Sequence, residues 1–290
     1  MVVNSKEGKK RVIRIFPRRT QWTPRDDLAF VGDPPLFRPP EQSVGISVAF
    51  KWDIPEAERL YRSWKQYYSD IDMGGPALGS KGGEFVAGRF LKLGITITSR
   101  GCPNRCWFCS VHERDPEVKE LPIVEGWNVV DDNILATSDD HFLKVCEMLK
   151  LQKERPVFSG GLEAARLTPW HAWILANLKP DRLYFAYDTS DDYEPLVEAG
   201  RVMREAGIPK VKHVLMAYVL IGYRGDTPDR AEKRLFQTID AGFTPMAMLW
   251  RDERGYRNKE WLKFQRRWAR PRLIYMKDHR EMDQNTIGRG

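Results

Sequence analysis

From residue 94 onward, short apolar runs alternate with longer stretches whose apolar positions recur at helical spacing. Runs of four to eight apolar residues bounded by turn signals read as buried strands. Here they fall at 94–99, 127–130, 156–159, 182–187, 214–221 and 245–250. The clearest helix between them is 192–206, where Tyr193, Leu196, Val197, Gly200 and Met203 share a face and Gly207 supplies a stop. Other helices begin at Ser138, Thr168 and Thr227, and Thr168-Pro169 and Thr227-Pro228 each set a capping hydroxyl before a proline suited to the first turn. The alternation predicts an α/β fold with parallel strands, and six such units fit a partial (βα)6 TIM-like barrel. Chemistry then gathers in the loops that follow the strands' carboxyl ends.

Residues 1–93 have a different texture, with Pro34-Pro35 and Pro39-Pro40 marking a loop and Gly74-Gly75-Pro76 a turn. Strands at 11–16 and 44–50 and a helix from 55 to about 68 predict a small N-terminal α/β extension. The expected organisation is an extension over 1–93, a core over 94–250 and a basic segment over 251–290 that includes a C-terminal helix. No internal repeat or low-complexity tract interrupts it.

Composition narrows the class. With 290 residues and 42% hydrophobic content the chain can bury a large core, and no run approaches the roughly 20 apolar residues of a membrane span. The opening basic and apolar mixture over 6–19 reads as a strand rather than an export signal, so the expectation is a cytoplasmic protein with no membrane partner. The net charge of +7 is unevenly spread: 251–290 holds twice as many basic as acidic residues, and 1–25 has Glu7 as its one acid. Solvated termini and an anionic partner are the two readings of that excess.

Three of the four cysteines fall within eight residues, in Arg100-Gly101-Cys102-Pro103-Asn104-Arg105-Cys106-Trp107-Phe108-Cys109, immediately after the first strand of the core. That clustering points to metal rather than to a disulfide framework. Three thiolates suit an iron-sulfur cubane and leave its fourth iron open, while Cys102, Cys106, Cys109 and His112 would also make a zinc set. Arg100, Arg105 and Arg114 favour the thiolate form if they face it. Cys146 lies in the helical pattern of Phe142, Val145, Met148 and Leu149, which reads as a buried structural thiol. Asp131-Asp132-Asn133 ends a strand and reads equally as a substrate-orienting group and as a loop cap.

On the cysteine triplet and its place after a strand, the chain resembles the radical S-adenosylmethionine (radical SAM) superfamily over roughly residues 94–250. The resemblance implies a [4Fe-4S] cluster on Cys102, Cys106 and Cys109, with S-adenosyl-L-methionine chelating the fourth iron. It places Phe108 beside the adenine. The family's glycine-rich turn, often Gly-Gly-Glu, corresponds to Gly160-Gly161 and Glu163, with Leu162 inserted before the acid. Asp188, after the fourth strand, is the candidate ribose ligand, with a helix cap as the other reading. Ile221 and Gly222 match the apolar-then-glycine segment beneath the adenine. The resemblance also implies a low-potential electron donor of flavodoxin or ferredoxin type and reductive cleavage of S-adenosylmethionine.

The N-terminal extension looks like a degenerate cobalamin-binding arrangement, because no histidine precedes His112 to serve a histidine-bearing corrin loop. In the basic C-terminal segment, Lys263, Arg266, Arg267, Arg270 and Arg272 interleave with Trp261, Phe264 and Trp268. This suits a nucleic acid or nucleotide substrate held by stacking and phosphate contacts. An amphipathic helix with its aromatics inward and its arginines solvated explains the same residues. Two further readings of the whole chain are a zinc-stabilised nucleic-acid-binding protein and a non-catalytic iron-sulfur electron carrier.

Overall fold

The computed structural model describes residues 12–40, 42–80, 84–208 and 213–269. The chain divides into two compact units, residues 1–154 and 155–290.

The first unit opens with β1 (Ile13–Phe16), β2 (Ala29–Val31), β3 (Val44–Ser47), α1 (Ile54–Trp64) and β4 (Ile71–Gly74). The strands form one all-parallel sheet in the order β2-β1-β3-β4. The expected small α/β layer is therefore present, with β2 and β4 added to it. Ile13, Ile15, Ile46, Leu60 and Trp64 make its core, and the Trp64 indole donates to the carbonyl of Gly32 at 3.0 Å. Arg14 is also buried, and its guanidinium donates to the carbonyls of Gly88 and Arg89 and pairs with Asp26. An arginine can sit in a strand here because each contact supplies an acceptor to the buried charge.

The rest of this unit carries β5 (Ile95–Thr96), β6 (Ser99–Arg100), α2 (Val111–Arg114), β7 (Lys119–Glu120), β8 (Asn128–Val129) and α3 (Asp139–Lys150). β5 pairs in parallel with β8, and β6 pairs with β7 as an antiparallel ribbon. The strand expected over 94–99 is thus broken in two. Between the halves, the Thr98 backbone N–H donates to the Asp131 carboxylate at 2.6 Å instead of to a neighbouring strand.

The second unit alternates β9 (Val157–Leu162), α4 (Pro169–Asn177), β10 (Arg182–Tyr187), α5 (Tyr193–Glu205), β11 (Leu215–Ile221), α6 (Pro228–Asp240) and β12 (Thr244–Leu249), and ends in α7 (Lys259–Trp268). Its strands are parallel and adjacent in chain order. The caps follow the sequence: Thr168 and Thr227 accept from the backbone N–H of His171 and Arg230, and Ser138 does the same for α3. Gly207 ends α5 at positive φ, with the Gly207 and Ile208 N–H groups returning to the carbonyls of Arg204 and Met203.

The fold is α/β with parallel sheets, and among the described residues no barrel is closed. Among the described residues, no helix is long and apolar enough to cross a membrane.

Candidate metal and cofactor site

Backbone geometry at Gly101 sets the start of the cysteine loop. Its φ is +93°, and a β-carbon there would lie 2.0 Å from the carbonyl oxygen of Glu117. Only glycine fits, because the returning chain at 115–117 passes directly against it. The Cys102 N–H then donates to the Asp115 carbonyl at 3.2 Å, and the Cys109 N–H to that of Cys106 at 3.0 Å. The cysteines are therefore carried on a folded loop with both of its ends tied.

A buried polar clamp secures the loop from outside. Asp131, 2% exposed, accepts from the Thr98 backbone and hydroxyl at 2.6 Å each and from the Ser99 hydroxyl at 2.8 Å. Asp132 accepts from the Gly101 N–H at 2.9 Å and pairs with Arg114 at 3.2 Å. Arg114 also pairs with the buried Asp115 at 3.0 Å. Asn133 donates from its side-chain amide to the Cys102 sulfur at 3.5 Å. Of the two sequence readings for residues 131–133, the loop cap describes their bonding here. The clamp as a network escaped sequence reasoning, since its partners lie about thirty residues apart and only the acids' position after a strand signalled them.

The clamp also alters the electrostatics expected of the loop. Arg114 and Arg100 both face Asp132, the latter at 3.9 Å, so their charge is largely neutralised. Burial, opposed in part by Arg114, pushes the Cys109 thiol up from its ordinary value rather than down. At Cys109 burial outweighs both a backbone hydrogen bond from Val111 and the charge of Arg114, so the arginine-favoured thiolate expected there is not what burial produces.

Cys102, Cys106 and Cys109 are half-buried, and none of them is in a disulfide. Among the described residues, no three His, Cys, Asp or Glu side chains converge as the ligands of a single ion. The donor set fits the cluster: three thiols and no carboxylate on one tied loop, with an amide already directed at one sulfur. Phe108 is half-buried and meets Trp107 edge-on at 5.4 Å.

In the second unit, Glu163, Asp188, Ile221 and Gly222 lie at or just after strand ends. Gly160 and Gly161 fall inside β9, not beyond it, at an irregularity where the pairing with β10 slips between Leu183 and Phe185. Gly160 is exposed, and the φ of Gly161 is +105° with open space where a β-carbon would point. The inserted Leu162 is buried, which accounts for its presence: the strand returns to the core before the acid. Glu163 follows and pairs with Arg166 at 2.7 Å.

Asp188 follows β10 and is mostly buried. Burial first, then the nearby Asp192 carboxylate, pushes its acid up to about 7, against a hydrogen bond from the Leu220 backbone and the field of Arg234. The segment also caps a helix, as the other reading had it: Thr189 is the N-cap of a capping box whose N3 residue, Asp192, accepts from the backbone N–H of both Asp188 and Thr189. Ile221 is wholly buried at the end of β11. Gly222 has φ +72°, and a β-carbon there would meet Leu249 at 2.7 Å and the Trp261 ring at 3.0 Å. Its N–H donates to Asp226 at 2.8 Å, and Asp226 is held by the buried Arg234, also at 2.8 Å. This Asp226–Arg234 pair is a second feature the sequence did not disclose.

Helix α7 turns Phe264 and Trp268 into the core, with Trp268 edge-on to Phe236 at 5.2 Å. Gln265 donates to the Ala247 carbonyl at 2.8 Å, while Lys263 and Arg266 are exposed and Arg267 pairs with Glu232 at 3.0 Å. The amphipathic-helix reading therefore describes the aromatics here, and Arg270 and Arg272 lie outside the described residues. Cys146 is buried with its thiol pushed up to about 12 by desolvation. His171 completes the α4 capping box.

Neither models of known protein families nor curated proteins match this chain.

Proposed function

We propose that this chain is a radical SAM enzyme whose [4Fe-4S] cluster is held by Cys102, Cys106 and Cys109. The observation that carries the reading is the loop itself: three cysteines, none in a disulfide, on one turn after the first core strands, with the Asp131, Asp132 and Asn133 clamp on its backbone and one sulfur. When bound, the cluster supplies one electron that cleaves S-adenosylmethionine to methionine and a 5′-deoxyadenosyl radical.

The chain's part is to bind and orient. Gly101 and the clamp fix the loop that presents the thiols, and Phe108 offers an aromatic edge for the adenine. The exposed backbone of Gly160-Gly161 admits close approach by the methionine end. Asp188 suits a ribose hydroxyl, because its weakened acidity leaves it able to donate or accept near neutrality. By the resemblance Ile221 and Gly222 would lie beneath the adenine, and Glu163, paired through one oxygen with Arg166, would serve the methionine end. The finer fold description, an incomplete (βα)6 barrel, belongs to the same proposal.

A flavodoxin- or ferredoxin-type donor supplies the electron. A nucleic acid or nucleotide remains the proposed substrate class on charge alone, through Lys263 and Arg266, since Phe264 and Trp268 are spent on packing. The test is turnover of S-adenosylmethionine under a strong reductant, with 5′-deoxyadenosine as the expected product. Cluster binding without that product would make the chain an electron carrier.

A further inference from the structure

Asn133 is 3% exposed, and its side-chain amide donates to the Cys102 sulfur at 3.5 Å, a normal length for an N–H···S contact. Its two predecessors fix the amide in place. Asp131 bonds Thr98 and Ser99, and Asp132 bonds Gly101, so residues 131–133 address the backbone or side chains of 98–102 almost residue by residue. The buried bonds of Asp131 and Asp132 hold the backbone that carries this donor beside the loop.

We propose that Asn133 is a positioning residue that sets the reduction potential of the cluster through Cys102. This rests on the three-cysteine cluster reading. An N–H donor to a ligating thiolate withdraws electron density from the sulfur, and it stabilises the more negative, reduced state of the cluster over the oxidised one. Asn133 thereby eases one-electron reduction by the external donor. The electron enters the cluster and no bond to Asn133 forms or breaks.

The test replaces Asn133 in the full chain in two ways. Asn133→Leu keeps the branching and the number of side-chain heavy atoms and deletes the donor, and Asn133→Asp keeps the shape and puts an acceptor against the sulfur. The readout is the midpoint potential of the reconstituted cluster, from a reductive titration followed by electron paramagnetic resonance without S-adenosylmethionine. Iron and sulfide content and circular dichroism are measured on the same samples. The proposal expects both variants to hold the cluster and to shift to more negative potential, with the aspartate variant shifted further. Unchanged potentials in cluster-bearing variants would overturn it, as would loss of the cluster from both folded variants, which would assign Asn133 to assembly. If the leucine variant does not fold, the aspartate variant alone decides by the same criterion, and Asn133→Ser replaces it should it also unfold. A parent chain that takes up no four-iron cluster overturns the underlying reading instead, and the two failures are told apart by the parent's iron content.

Discussion

At Gly101 and Asp188 single residues carry two different burdens, steric and electrostatic. A methyl group at Gly101 meets the Glu117 carbonyl at 2.0 Å and the Asp115 carbonyl at 2.9 Å, in a backbone conformation unfavourable to any side chain. Gly101→Ala should destabilise the first unit by about 1–3 kcal/mol and lower iron uptake, read by denaturant titration and metal analysis. Wild-type stability and iron content in that variant would show that the 115–117 segment yields easily. Asp188 acts through pH. Its folded acid is raised from 3.8 to about 7, so the stability linked to its protonation is full below 3.8 and is lost as pH rises through about 7. Asp188→Asn should therefore melt like the parent near pH 4 and above it at pH 8, in thermal scans across that range. A variant less stable than the parent at pH 8 would mean that the carboxylate is held charged. Neither burden was legible beforehand, because each depends on what the chain brings back against the residue.

The elements read well where the signal is local. Ser138, Thr168 and Thr227 all cap the helices they were expected to start, since a cap needs only the next three residues. The end of β9 read poorly for the opposite reason. Gly160-Gly161 marks a turn by composition, yet the strand runs on to bury Leu162, and that demand comes from the sheet. Helix α7 shows the same contest: its spacing allowed both stacking platform and packed face, and Phe264 and Trp268 are buried. Trp268→Ala should cost about 3–5 kcal/mol in unfolding experiments. Arg266→Ala should stay within about 0.5 kcal/mol, as exposed substitutions do. If nucleic acid binds, Arg266→Ala should flatten the salt dependence of affinity, while a purely structural helix leaves no slope to flatten.

Across the molecule, the sequence made the cysteine loop, the run of βα units and an N-terminal α/β layer visible. Their signals are short-range, in cysteine spacing and hydrophobic period. The all-parallel order β2-β1-β3-β4 and the clamp of Asp131, Asp132 and Arg114 were hidden, because both join segments far apart in the chain. Function depends on what that clamped loop holds. The measurement that bears on it most directly is metal and sulfide analysis with electron paramagnetic resonance of anaerobically reconstituted protein, for the parent and for Cys102→Ala, Cys106→Ala, Cys109→Ala and Cys146→Ala. The account predicts a brown parent with about four irons per chain, loss of the four-iron signal in each of the first three variants, and its retention in the last. A colourless parent that takes up one zinc and no iron, or a cluster indifferent to the three loop cysteines, would contradict it.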